Sequence, residues 1–139
     1  MTAGYKIRRL SAAIRKGSAT APHRTERRYL DPGHRASDAL GAAFLGEYRG
    51  GNGLMSAPEA VTGALLWQFP HLWCTIRAWP RLADEVEAEA PGLVPPVKKY
   101  SSLYRQAIHP SLFSVIAGLH DKFGWTKDEI AELLDRHGL

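Results

Sequence analysis

The C-terminal stretch, residues 109–139, has the clearest hydrophobic pattern in the chain. Apolar side chains recur there with the period of an α-helix, at Leu112, Val115, Ile116, Leu119 and Phe123. This spacing places them on one face of a helix. Pro110 suits the first turn of that helix, and Gly124 suits the position just beyond its end.

A second helix is predicted immediately after Gly124. Thr126 and Glu129 have the spacing of a capping box, in which each residue satisfies a free backbone N–H of the other. Trp125 and Ile130 flank this cap at the positions of a hydrophobic staple. Two amphipathic helices joined by so short a turn form a helix-turn-helix-like corner.

Two further helices are predicted in the first third of the chain. Residues 6–17 have a short amphipathic pattern, and Ser37 is placed to cap a helix over residues 38–48. The second of these helices has a smooth surface that another helix can approach closely, formed by Gly41, Ala42, Ala43 and Gly46. Residues 18–36 lack periodicity and are interpreted as a loop.

The middle of the chain contains three more helical patterns. Ser56 and Glu59 form a capping box for a helix over residues 57–69, residues 71–79 form a helical piece, and Pro80 starts an acidic helix. The side chains expected to face inward are Val61, Ala64, Leu65, Leu72, Ile76, Trp79, Leu82 and Val86.

Residues 91–110 include four prolines and form the longest irregular segment. Within it, residues 94–104 are the one region whose pattern suits a small β arm. Taken together, the patterns predict a mainly α fold and a single domain over residues 1–139. We expect a compact bundle of about six short helices that ends in the helix-turn-helix-like corner.

Composition agrees with a globular domain, since 45% of the 139 residues are hydrophobic and 23% are charged. The single cysteine, Cys74, excludes an internal disulfide and a multi-cysteine zinc site, and its apolar neighbours favour a buried thiol. No apolar run approaches the roughly 20 residues of a membrane span. No apolar signal core follows the basic N-terminus. We therefore expect a cytoplasmic protein with no membrane partner.

Charge is distributed unevenly along the chain. Residues 1–35 carry nine basic and two acidic side chains, a net charge of +7, whereas residues 36–139 carry nine and twelve, a net charge of −3; the sum is the overall +4. We call residues 1–36 the basic arm and residues 37–139 the body. Such an arm can bind an anionic partner, or it can dock on the acidic helix at residues 84–89.

The helix-turn-helix-like corner suggests DNA binding, but its charges oppose this function. The helix that would enter the groove carries Asp128, Glu129, Glu132 and Asp135. Because affinity for DNA comes largely from neutralising phosphates, an acidic helix is repelled. The basic arm is the better nucleic-acid candidate, since it mixes guanidinium and aromatic groups in the manner of single-strand binders. The residues concerned are Arg24, Arg27, Arg28, Tyr29 and Arg35.

Neither metal binding nor catalysis is favoured by the spacing of the relevant residues. No two of the six histidines have an i, i+4 or His-x-His spacing, and no cofactor motif is present. Ser111, Ser114, His120 and Asp121 lie close in sequence, but no nucleophile-elbow signature surrounds them. We therefore expect a protein that is not an enzyme and has no cofactor.

Aromatic and arginine side chains provide the candidate binding residues, because these types dominate protein interfaces. The predicted partner-binding residues are Arg8, Arg9, Arg15, Arg27, Arg28, Trp73, Arg77 and Trp79. They predict contact with a larger protein, while nucleic acid bound to the basic arm is the alternative.

Four segments together resemble a family of short proteins found in bacterial genomes, mobile elements and phages. They are Leu10–Gly17, Leu40–Gly46, Leu66–Leu72 and Val115–Leu134, the last containing the specific motif G-W-T-x-x-E-I-A-x-x-L. Family members often carry a Cys-x-x-Cys pair before the final corner; this chain has no cysteine after Cys74, so no metal role transfers.

The resemblance implies a helical fold and a bacterial or phage origin, but no activity. By analogy with short proteins of this kind, we expect a non-enzymatic binding protein that modulates a larger host protein machine. A transcription or immunity complex in the host cell cytoplasm is such a machine.

Overall fold

The computed structural model describes residues 9–47, 57–94 and 110–139. These residues form six α-helices: α1 (Leu10–Thr20), α2 (Ala39–Glu47), α3 (Pro58–Gln68), α4 (Pro80–Glu89), α5 (Leu112–Asp121) and α6 (Lys127–Arg136). Two 3₁₀ turns, Pro70–Trp73 and Ile76–Ala78, connect α3 to α4. A two-stranded parallel sheet pairs β1 (His23–Arg24) with β2 (Ala36–Ser37). The predicted bundle of short helices is confirmed.

Small residues allow α1 and α2 to pack with their backbones in direct contact. A Cβ added to Gly17 would lie 1.6 Å from the carbonyl oxygen of Ala42, and one added to Gly46 would lie 1.9 Å from that of Ala13. The smooth surface predicted for α2 therefore contacts α1 at Ala42 and Gly46, while its Gly41 lies against the Tyr29 backbone. The large side chains around this contact are fully buried: Leu10, Ile14, Leu40 and Phe44.

The two C-terminal helices form the predicted corner. The Thr126 hydroxyl accepts a hydrogen bond from the Glu129 N–H at 3.1 Å, and the Glu129 carboxylate accepts one from the Thr126 N–H at 2.9 Å. The capping box is therefore complete. Gly124 has a φ of 70°, the left-handed conformation in which glycine is favoured after a helix end.

Two details of α5 differ from the prediction. The helix starts after Ser111, whose hydroxyl caps it by accepting the Ser114 N–H at 3.1 Å, so Pro110 precedes the helix instead of lying in its first turn. Phe123 is 39% exposed, because the helix has ended by that residue and its side chain no longer follows the buried face.

Residues 71–79 do not form one helical piece. Cys74 and Thr75 have extended backbones between the two 3₁₀ turns, and Ile76 N–H donates to the Pro110 carbonyl at 2.8 Å. This pairing ties the segment to the start of α5. Cys74 is exposed in the extended stretch, so the prediction of a buried thiol was wrong.

Two helix caps also differ from those predicted. Asp38 caps α2, since its Oδ1 accepts the Gly41 N–H at 2.6 Å, while Ser37 belongs to β2. The N-cap of α3 is Ala57, and no side chain makes a capping bond there. Ser56 lies outside the described residues.

The strand pairing is located in the basic arm. The predicted loop at residues 18–36 includes the end of α1, all of β1 and the start of β2. Of the proposed β arm at residues 94–104, all but Val94 lies outside the described ranges.

Candidate functional site

A buried polar junction fixes the basic arm to the C-terminal corner. Lys127, only 7% exposed, donates from Nζ to the carbonyl oxygens of Ala21 at 2.6 Å and His23 at 2.8 Å. Ala21 follows the last residue of α1, where the partial negative charge of the helix dipole favours a cation. A third acceptor, the Ser37 hydroxyl, lies at 3.3 Å.

Arg24 forms the second part of this junction. Its guanidinium donates to the carbonyl oxygen of Trp125 at 2.9 Å and to that of His120 at the C-terminal end of α5. The His120 ring in turn places Nε2 2.8 Å from the Thr25 carbonyl oxygen. The described part of the arm therefore docks on the body, which is one of the two interpretations of its charge given above.

The described part of the arm docks on the C-terminal corner and not on the acidic helix at residues 84–89. That helix is α4, and its Glu85 pairs with Arg136 and His137 of the corner instead. Arg24 of the arm thus satisfies backbone carbonyls of the corner, a contact that the charge pattern of the sequence does not reveal.

Burial perturbs the titratable groups of the junction. Desolvation raises the pKa of Asp38 to about 7, with the Asp121 charge adding to the rise and the Gly41 N–H and Lys127 opposing it. Burial also lowers the pKa values of His120 and Lys127. His120 Nδ1 is buried and has no hydrogen-bond partner among the described residues, which disfavours a second proton on the ring.

An open cleft of about 300 Å³ lies beside the junction, between the arm, α2 and α5. Tyr29 and Phe113 meet edge to face in it, with ring centroids 6.4 Å apart, and the Tyr29 hydroxyl is 2.5 Å from the Thr62 hydroxyl oxygen. Arg27 and Arg28 are exposed along its edge. The cleft thus combines an aromatic wall with two accessible guanidinium groups.

Phe113 also lines two adjoining clefts. One, of about 200 Å³, contains Trp73 and Leu66; the other, of about 420 Å³, contains Leu93 and Lys122. We call the surface formed by these three clefts the Phe113 face. Phe113 lines all three of them.

Three of the predicted partner-binding residues lie on the Phe113 face: Arg27, Arg28 and Trp73. Sequence reasoning missed Phe113 and gave Tyr29 only a role in nucleic-acid binding. Phe113 follows Leu112 and lies off the buried stripe of α5. Phe113 could have been identified as an aromatic residue on the less buried side of an amphipathic helix.

The other predicted residues lie elsewhere. Arg9 is exposed at the N-cap of α1, and Arg15 pairs with Asp135. Arg77 is half-buried, and Arg8 lies outside the described residues.

Trp79 belongs to a different concave surface. It meets His71 edge to face at 6.2 Å, and it lines a separate cleft of about 380 Å³ with Arg81 and His137. The seven predicted residues that the structure describes therefore do not form one continuous surface.

The residues considered for catalysis do not converge. Ser111 and His120 lie at opposite ends of α5, nine residues apart, which corresponds to about 13 Å along a helix. The Ser111 hydroxyl caps the helix, and His120 is 1% exposed. Within the described ranges, no group of three or more His, Cys, Asp or Glu side chains is placed to hold a metal ion.

The chain matches no protein family model, and comparisons with curated proteins and with solved structures also give no significant match. No helix in the described part of the chain is long and apolar enough to cross a membrane. The candidate site therefore rests on the geometry of the Phe113 face.

Proposed function

We propose that this chain is a non-enzymatic binding protein that modulates a larger host protein machine through the Phe113 face. One observation carries the proposal: the face places exposed Trp73 and the exposed pair Arg27 and Arg28 around a single aromatic residue. Tryptophan, tyrosine and arginine supply most of the binding energy at protein interfaces. Trp73 is 67% exposed, so its side chain is accessible to a partner.

The size of the clefts favours contact with a protein over a small-molecule substrate. Their volumes of about 200 to 420 Å³ lie near the lower end of the range for ligand pockets, roughly 300–1,000 Å³. Shallow adjoining clefts of this size suit individual side chains of a partner surface. The junction at Lys127 and Arg24 supports this use, because it holds the arm, and with it Arg27, in a fixed position.

Nucleic acid bound to the basic arm is the alternative, and the contacts of the arm argue against it. The Tyr29 ring packs on Phe113 with its hydroxyl at Thr62, so it is not free to stack on a base. Arg15 and Arg24 are already paired within the chain. Neither of these two guanidinium groups is therefore free to contact a phosphate.

The identity of the machine follows only from the resemblance to bacterial and phage proteins. On that basis we propose a bacterial or phage origin and action in the host cytoplasm. A transcription or immunity complex is the proposed target, because such complexes are the machines that short proteins of this class commonly modulate.

Affinity capture from a bacterial lysate, treated with nuclease and washed at low and high salt, tests the proposal. The test variant is Arg27→Glu/Arg28→Glu/Trp73→Ala. The control is Arg35→Glu/Arg81→Glu/Trp67→Ala, which makes the same changes at exposed residues that line none of the three clefts.

We expect the parent and the control to retain one protein complex through nuclease and high salt, and the test variant to lose it. Equal retention by both variants would refute the Phe113 face as the contact. Recovery of nucleic acid that is lost at high salt would favour the alternative function, because counterion release makes such binding steeply salt-dependent.

A further inference from the structure

We infer that the Phe113 face binds an acidic segment of its protein partner, in which a bulky apolar side chain enters the cleft while a neighbouring carboxylate pairs with Arg27 and Arg28. This inference rests on the proposed function and specifies the chemistry of the partner. Three features support it: the lining of the cleft, the charges at its edge and the backbone conformation of Arg27.

The interior of the cleft is suited to one large apolar side chain. Its walls include Leu40, Pro58, Phe113 and Ala117, and its volume is about 300 Å³. Interface anchors are typically aromatic or large aliphatic side chains that fill a pocket of this kind. The Phe113 ring is half-buried and meets Tyr29 edge to face, and aromatic surface of this kind favours a further aromatic ring.

The charges at the edge of the cleft select a carboxylate. Arg27 and Arg28 are both exposed there, and no ion pair within the described residues involves either side chain. Asp121 also lines the cleft and accepts the Arg27 N–H at 3.2 Å, while Asp38 is buried and accepts the Gly41 N–H at 2.6 Å. The two exposed guanidinium groups therefore outnumber the one carboxylate that is not buried. A ligand therefore meets guanidinium groups, which bind carboxylates in a planar, two-bonded geometry.

Arg27 holds an unfavourable backbone conformation at the edge of the cleft. Its φ is 60°, in the left-handed region that favours glycine, asparagine and aspartate. The Asp121 carboxylate fixes this conformation by accepting the Arg27 N–H. Strained residues of this type are concentrated at binding sites, where the side chain is needed despite the local cost.

Because of this conformation, a substitution at Arg27 can weaken binding without lowering the stability of the fold. Arg27→Gly keeps the N–H that Asp121 binds and relieves the strain, so we expect an unchanged or higher Tm together with weaker binding. His34→Gly is the matched control, because His34 also has a positive φ, 55°, and does not line the cleft.

The probe is a short synthetic peptide with a central phenylalanine flanked by glutamates, titrated into the ¹⁵N-labelled full chain. Two matched peptides replace the phenylalanine by alanine or the glutamates by lysines. We expect saturable amide shifts centred on Arg27, Arg28 and Ala117, and at least about tenfold weaker binding of either altered peptide. Arg27→Gly should weaken binding of the parent peptide about fivefold or more, whereas His34→Gly should not change it.

Several results would overturn the inference. They are equal binding of the alanine or lysine peptide, shifts centred away from the cleft, equal binding by Arg27→Gly and the parent chain, or no binding of the acidic peptide. Tighter binding of a single-stranded oligonucleotide at the same amides would overturn it as well. If lysate capture still depends on the Phe113 face in any of these cases, the proposed function stands and only the partner's chemistry is wrong.

Discussion

Lys127 Nζ lies 2.6 Å from the carbonyl oxygen of Ala21, so a side chain from the first turn of α6 satisfies the C-terminal end of α1. The two residues are 106 positions apart. Contacts of this kind make residues 9–36 of the basic arm part of the folded structure. The position of Arg27 and Arg28 at the Phe113 face depends on this attachment.

We predict that Lys127→Met lowers the free energy of unfolding by about 2 kcal/mol, because the apolar side chain leaves the buried carbonyls of Ala21 and His23 without a donor. Lys122→Met, at an exposed lysine, is the control and should be nearly neutral. Urea unfolding followed by circular dichroism measures both. Equal stability of the two variants would show that the junction does not hold the arm.

The contact between α1 and α2 gives a second prediction. Gly17→Ala should destabilise the fold by about 3 kcal/mol, because its Cβ would overlap the Ala42 backbone, which cannot move aside as a flexible side chain does. Gly63→Ala is the control, since Gly63 is exposed within α3 and an added Cβ meets nothing within 4 Å. That change should stabilise the protein by about 1 kcal/mol. Thermal unfolding compares the two variants directly.

Local sequence signals predicted the C-terminal corner well. The capping box at Thr126 and Glu129 and the turn at Gly124 depend only on neighbouring residues, so their spacing is sufficient to identify them. The close packing of α2 was also predictable, because a helix face that carries only glycine and alanine can bury its surface only against a closely approaching neighbour.

Contacts between residues far apart in the chain could not be predicted from the sequence. Lys127 has the pattern of an exposed helix residue, and nothing near it in the chain indicates that Ala21 and His23 supply its acceptors. Cys74 was expected to be buried because its neighbours are apolar, yet pairing with the start of α5 holds that stretch extended and its thiol exposed. The Phe113 face is likewise assembled from segments far apart in sequence.

The cap of α6 gives a third prediction. Thr126→Ala should lower the free energy of unfolding by about 1 kcal/mol, because the Glu129 N–H loses its acceptor. Thr75→Ala is the control, since Thr75 precedes a 3₁₀ turn without a side-chain capping bond and is exposed. It should change stability by less than about 0.5 kcal/mol. A larger loss in Thr75→Ala than in Thr126→Ala, measured by urea unfolding, would contradict this interpretation of the cap.

Asp38 gives the final prediction, a stability that depends on pH. Burial raises its pKa to about 7 in the folded chain, against 3.8 for an ordinary aspartate. Between these two pH values the unfolded chain has released the proton and the folded chain still holds it, so stability falls as the pH rises. The contribution is fully present below about pH 4 and lost above about pH 7, and a shift of this size corresponds to something on the order of 4 kcal/mol.

Asp38→Asn should remove this dependence, because the amide oxygen can still accept the Gly41 N–H but does not titrate. The difference in unfolding free energy between the parent and the variant should therefore change in the variant's favour between pH 4 and pH 7.5, as measured by urea unfolding across that range. Asp128→Asn, at an exposed residue of α6, controls for the loss of one carboxylate. A parent-to-variant difference that stays constant with pH would mean that Asp38 is charged in the folded protein throughout, held in that form by Lys127 and the Gly41 N–H.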